Sequence, residues 1–184
     1  MKPINIIILI VSIVIFLTLL FIILFKYYNE RIKLLSKRLE DSELDFVEKL
    51  KNKYNILIRM INIIENRYKT NSKTFDEVKK IKIEDLASLQ NENLFNKCYK
   101  EIIEIKEDNK KVREIKSFRE VIDEYNSNEL HLISLRTFHN KYTLEYNNLI
   151  KKTPYNIVSS IKHYKVKPLL EGNTLDEEIN DLEV

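Results

Sequence analysis

Val47-EKLKNKYNILIRMINIIENR-Tyr68 is the stretch that decides the fold. Val47, Leu50, Tyr54, Leu57, Ile61, Ile64 and Tyr68 follow one another at alternating steps of three and four, with Ile58 on the flank. That spacing places the apolar side chains on one stripe of an α-helix, which must be buried against other helices. Upstream, Tyr28, Ile32, Leu35 and Leu39 keep the same spacing, but one residue out of phase, with Asp41 and Ser42 between. The pattern predicts a helix that runs through both stretches with a slip of the seam near Asp41.

Further toward the N-terminus, Ile4-NIIILIVSIVIFLTLLFIIL-Phe25 is a 22-residue apolar run broken only by Asn5, Ser12 and Thr18. As a helix it is roughly 33 Å long, enough to cross a hydrocarbon core of about 30 Å. Its Ile, Leu, Val and Phe side chains favour insertion by roughly 6–11 kcal/mol. A cleaved signal peptide has a shorter apolar core that ends at small residues, whereas this run leads into Lys26, Tyr27 and Tyr28. No cysteine follows it to carry a lipid. Lys26, Arg31, Lys33, Lys37 and Arg38 lie after the run and Lys2 alone before it, which places the C-terminal part in the cytoplasm.

Composition narrows the remainder. One glycine and three prolines in 184 residues argue against tight-turned sheets and glycine-rich phosphate loops. The single Cys98 has no partner for an internal disulfide, as suits a reducing compartment. Between Lys26 and Leu170, 30 basic residues face 22 acidic ones, while the last 14 residues hold six acids and no base. Two readings of that excess stay open: a basic body resting against an anionic leaflet, or charges that only solvate helix faces.

Other stripes supply partners for the first seam. Thr74 and Glu77 fit a capping box for a new helix, although a continuation of the long one fits as well. Phe95, Cys98, Ile102 and Ile105 form a second stripe that fades in the charged segment Glu107–Lys111. A third starts near Ser117 with Phe118, Ile122 and Tyr125, and resumes as Leu135, Phe138, Tyr142, Tyr146 and Leu149. Pro154 closes that helix, because it disfavours helix at Thr153 and lacks an amide. After a short segment from Tyr155 to Tyr164, Pro168 and Gly172 introduce a tail without fixed structure. The fold expected is all-α: an N-terminal transmembrane helix, residues 4–25, followed by an antiparallel bundle of three to four long helices over residues 26–170. Residues 1–3 would lie outside the cytoplasm, and 171–184 would form a disordered acidic tail.

Ser117, Phe118, Arg119 and Glu120, then Asn128 and Glu129, then Leu135-Arg-Thr-Phe-His-Asn140 form a pattern that resembles the paired-helix signature of LemA-family membrane proteins. Tyr146, Asn147 and Pro154 continue it; Tyr54-Asn-Ile-Leu57 and Thr74–Lys80 are similar to earlier parts of the same pattern. The sequence departs from it at Ile58, where a proline is usual, before Phe118, where a tyrosine and proline are absent, and at Tyr164–Leu170, which replaces a glycine and phenylalanine closing motif. The resemblance implies a divergent, membrane-anchored helical bundle. The family brings no established biochemical activity, so Arg136, Asn140, Asn147 and Pro154 transfer as pattern positions without a role.

Read physically, Arg136, Asn140 and Asn147 lie on one helix face at separations of four and seven. Such a row either hydrogen-bonds across a helix pair or is wetted by solvent. The three histidines, His131, His139 and His163, have no HExxH or ExxH spacing, and Cys98 falls on an apolar stripe. Glu101 and Glu104 share a face with no further ligand at metal-site spacing. No catalytic, cofactor or metal residues follow from this, and the interleaved charges do not suit nucleic acid. The expected partners are the lipid bilayer and other proteins, membrane or cytoplasmic, or a second copy; no small-molecule substrate is inferred. The role expected is a structural or adaptor protein at the cytoplasmic membrane, with a coiled-coil division or envelope-assembly component, or a signal-transducing membrane protein, as alternatives.

Overall fold

A computed structural model describes residues 3–83, 86, 89–109, 112 and 115–172. Among them every regular element is helical: α1 Pro3–Tyr68, α2 Lys73–Lys79, α3 Leu89–Asp108, α4 Lys116–Lys151 and α5 Tyr155–Lys162. The long α1 is unbroken because no proline or glycine lies between Ile4 and Tyr68. It ends where Lys69 turns left-handed, at φ 52°. The new helix α2 is capped by Ser72, whose Oγ accepts from the Thr74 amide at 3.1 Å. The capping box expected at Thr74 therefore gives way to a cap two residues earlier, and Thr74 itself is buried inside the helix.

The chain forms two compact units, one from residues up to Glu40 with Lys141–Leu169, the other from Asp41–Asn140 with Leu170 onward. In the larger unit α4 runs antiparallel to α1, since Ser42, Lys53 and Arg59 meet His139, Glu129 and Glu124 in falling order. It is also antiparallel to α3, where Glu92 meets Arg136 and Tyr99 meets Asn126. Leu50, Leu57, Ile61 and Ile64 of α1, Phe75 and Val78 of α2, Phe95, Cys98 and Ile102 of α3, and Phe118, Tyr125 and Leu132 of α4 share its core. Each such side chain contributes about 1.5–3 kcal/mol by leaving water. The smaller unit packs Ile32, Leu35 and Leu39 against Tyr146, Ile150 and Val158.

The expected slip in the α1 seam is absent. Asn29, Ile32, Leu35, Leu39, Ser42, Phe46, Leu50, Lys53, Leu57, Met60 and Ile64 are all buried, at steps of three and four throughout. The stripe stays in phase because it passes through the polar Ser42 and Lys53 and uses Phe46 in place of Val47, which is only half-buried. The same holds on α4. Its buried stripe continues from Tyr125 through Asn128, Leu132, Arg136, His139 and Thr143 to Tyr146, so the expected resumption through Phe138 is corrected: Phe138 is 43% exposed.

Before this packed part, α1 is long and apolar enough to cross a membrane, and its side chains from Ile4 to Leu24 are exposed. Helix α4 ends at Lys151 and Pro154 takes the cap position of α5, where a missing amide costs nothing. Of the expected acidic tail, residues 171–184, all but Glu171 and Gly172 lie outside the described residues.

Candidate functional site

Ser42, Lys53, Asn128, Arg136 and His139, polar residues inside the stripes of the larger unit, are paired. Lys53, with none of its side chain exposed, reaches Glu129 at 2.6 Å and the Asn96 carboxamide oxygen at 3.0 Å, and lies 5.6 Å from the Tyr125 ring centre. Arg136, 1% exposed, donates to Glu92 at 2.5 Å and stacks 5.2 Å from the centre of Phe46. Ser42 Oγ and His139 Nδ1 are 2.9 Å apart, and Asn128 donates to the Lys49 carbonyl at 3.1 Å. Each pair joins two different helices or two distant turns. A one-turn slide of either helix would strand a buried charge, so the pairs fix how α1, α3 and α4 align.

The pattern residues of α4 separate in role. Arg136 belongs to the buried pairs, and it is also covered by Gly172, where a Cβ would come 2.8 Å from the guanidinium carbon. Gly172 has φ +105°, a backbone conformation that side chains resist. Asn140, in the same unit, grips Leu170 twice: its Nδ2 donates to the Leu170 carbonyl at 3.0 Å and its Oδ1 accepts from the Leu170 amide at 2.8 Å. In the smaller unit Asn147 does the same to Lys167, at 2.8 and 2.9 Å. Of the row, Arg136 bonds across to α3, whereas Asn140 and Asn147 are neither across a helix pair nor left to solvent: they hold the non-helical segment that follows α5. Pro154 closes α4 and takes no part in these pairs.

The Ser42–His139 pair and Cys98 are shielded. Ser42 and His139 have the spacing of a nucleophile and its base, but they are 4% and 3% exposed, out of reach of a substrate. Cys98 is fully buried, and burial, then the Glu101 charge, pushes its thiol up to about 12, far from a reactive thiolate at neutral pH. Among the described residues no group of three His, Cys, Asp or Glu side chains could hold a metal ion. An open groove on α1 and α4 is lined by Lys49, Asn52, Arg59, Ser127 and His131, with Arg59 already held by Glu124 at 2.7 Å.

Sequence reasoning missed Ser42, Lys53, Glu92 and His139. The available signal was periodicity extended across polar positions: Leu39, Ser42, Phe46, Leu50, Lys53 and Leu57 keep the step of three and four that a purely apolar template discards.

The sequence matches the LemA family over residues 42–183. The chain belongs to the LemA family. The matched span starts at Ser42, so it takes in the larger unit of this LemA protein and the segment gripped by Asn140 and Asn147, and leaves out the apolar run. No curated protein matches the chain, and no solved structure does.

Proposed function

We propose that this LemA protein is a non-enzymatic adaptor held at the cytoplasmic membrane, a single span with its N-terminus outside and its helical domain in the cytoplasm. The observation that carries the reading is α1: one helix begins as exposed apolar turns and continues, without a break, as the central element of a packed domain. A segment meant for removal has no reason to share a helix with the core it would leave. The basic residues after the run support the orientation. The buried polar groups of the domain are spent on internal alignment, which supports binding by surface over chemistry. The seam of α1 is filled by α3 and α4, and this favours an adaptor over a coiled-coil component with a seam left open for a partner.

Two measurements test this. The mass of the protein purified from its native membrane should include Met1 or its successor; a form starting beyond Phe25 would replace the anchor with a cleaved leader. In a Cys98→Ala, Leu130→Cys variant, a membrane-impermeant thiol reagent should leave intact cells unlabelled and react after permeabilisation, since Leu130 is 60% exposed. Labelling of intact cells would reverse the orientation and remove cytoplasmic partners from consideration. Proteins that co-purify with the anchored chain, and not with a surface variant of the larger unit, would name the partner.

A further inference from the structure

The smaller unit holds α5 against the turn of α1 that follows the apolar run. Tyr155, at the start of α5, packs edge-on against Tyr28 with ring centres 4.7 Å apart. Tyr164, just past the other end of α5, donates its hydroxyl to Asn29 at 3.0 Å. Tyr28 and Asn29 are neighbours, about 1.5 Å apart along α1, whereas eight helical residues extend about 12 Å. Tyrosines at both ends of α5 therefore reach the same turn of α1. Tyr28 lies three residues past Phe25, about 4.5 Å along the helix, and Phe25 itself packs against the cluster that buries Val158 of α5. If α1 spans a bilayer with its apolar run in the hydrocarbon, that turn falls in the headgroup layer, about 5–7 Å thick on each side.

The outward side of α5 suits that layer. Ile157 and Ile161, one turn apart, are 49% and 53% exposed, while Val158 and Ser159 are buried. Around them Lys151, Lys152, Lys162 and Lys165 are exposed, and the sequence from Tyr146 to Leu170 contains no acidic residue at all. Apolar side chains ringed by lysines on a helix held at the base of an anchor are what an anionic lipid surface binds.

We propose that α5 is an interfacial helix that inserts Ile157 and Ile161 among the lipids around the anchor and holds anionic headgroups with its lysines. The proposal rests on the membrane-spanning reading of α1. Docking there ties the C-terminal end of α4 to the bilayer, so that the smaller unit is attached at two points.

The chain has no tryptophan, so single-tryptophan variants report one site each. The full-length protein is reconstituted into vesicles of phosphatidylcholine with or without phosphatidylglycerol, using lipids brominated near the headgroup or deep in the acyl chain. Ile15→Trp tests the span; Ile157→Trp and Ile161→Trp test α5; Leu34→Trp, nine residues past Phe25 and 46% exposed, is the reference for an unburied site. The expected result is deep quenching at position 15, shallow quenching with a blue shift at 157 and 161, and little at 34. The α5 signal should be stronger with phosphatidylglycerol, and the docked-to-free ratio should fall about fivefold for each of Lys152, Lys162 and Lys165 changed to Gln. Quenching at 15 but none at 157 or 161 overturns the α5 proposal and leaves the span intact. Absence of quenching at all three overturns both. Equal α5 signals in the two vesicle types reject the headgroup part.

Discussion

The ammonium of Lys53, fully withdrawn from solvent, lies 2.6 Å from Glu129, whose own side chain keeps about a quarter of its surface in water. The two partners are therefore unequal. Glu129→Ala leaves a charge buried with only Asn96 to receive it, at a cost of about 3 kcal/mol, whereas Lys53→Met leaves a carboxylate that can turn to solvent, at about 1 kcal/mol. Urea unfolding of the chain without its apolar run measures both. Equal losses would mean that the ammonium left without Glu129 carries no larger penalty than the carboxylate left without Lys53, and the asymmetry argued from their burial would be wrong.

Asn140→Ala should release the segment after α5 from the larger unit with little effect on the core. Two hydrogen bonds disappear, worth about 1–3 kcal/mol together, and amide exchange at Leu170 should accelerate while that of Leu57 does not. Gly172→Ala should act on the same segment, because its backbone angle disfavours a side chain and the added methyl meets Arg136. Slow exchange at Leu170 in both variants would show that other contacts hold it.

Alkaline pH offers a test of the interior. Cys98 is pushed from 9.0 up to about 12 by burial and then Glu101, and Tyr125 is pushed above its ordinary range by burial and then Glu129. A group that ionises later when folded leaves stability whole below its unfolded value and lowers it above. For Cys98 the loss runs between pH 9 and about 12, at about 1.4 kcal/mol per pH unit. Cys98→Ala should be less stable at pH 7 because of its cavity, yet lose less between pH 9 and 11 than the parent. Parallel pH profiles would place the thiol in contact with water.

The smallest autonomous piece should begin near Lys26 and not near Asp41. Ile32, Leu35 and Leu39 fill the smaller core, so a chain starting at Asp41 exposes Tyr146, Ile150 and Val158. Circular dichroism and proteolysis of residues 26–184 and 41–184 should show a single cooperative transition for the first and early loss of α5 for the second.

Much of this was legible. The apolar run, the helical class, the stripe through Phe95, Cys98 and Ile102, and the stop at Pro154 follow from periodicity and backbone chemistry that act locally. The buried charges were not, because a lysine at position 53 or an arginine at 136 reads as surface unless its partner is known, and Glu129 and Glu92 lie 76 and 44 residues away. The grip of Asn140 and Asn147 was half legible: the spacing marked a row, but what it holds is a stretch with no periodicity of its own.

That grip is made to main-chain atoms alone. Asn147 touches the amide and carbonyl of Lys167, Asn140 those of Leu170, and neither reads a side chain. Beyond the contacts of the side chains themselves, the Lys167 ammonium 5.7 Å from the Tyr146 ring centre and Leu170 against the larger core, the two grips would accept almost any amino acid. Proline is the exception, since it has no amide to offer, and the native proline stands at 168, between the two gripped positions. The fastening of the segment thus asks of its own residues only an amide at 167 and 170 and a glycine above Arg136, and leaves the rest to side-chain packing.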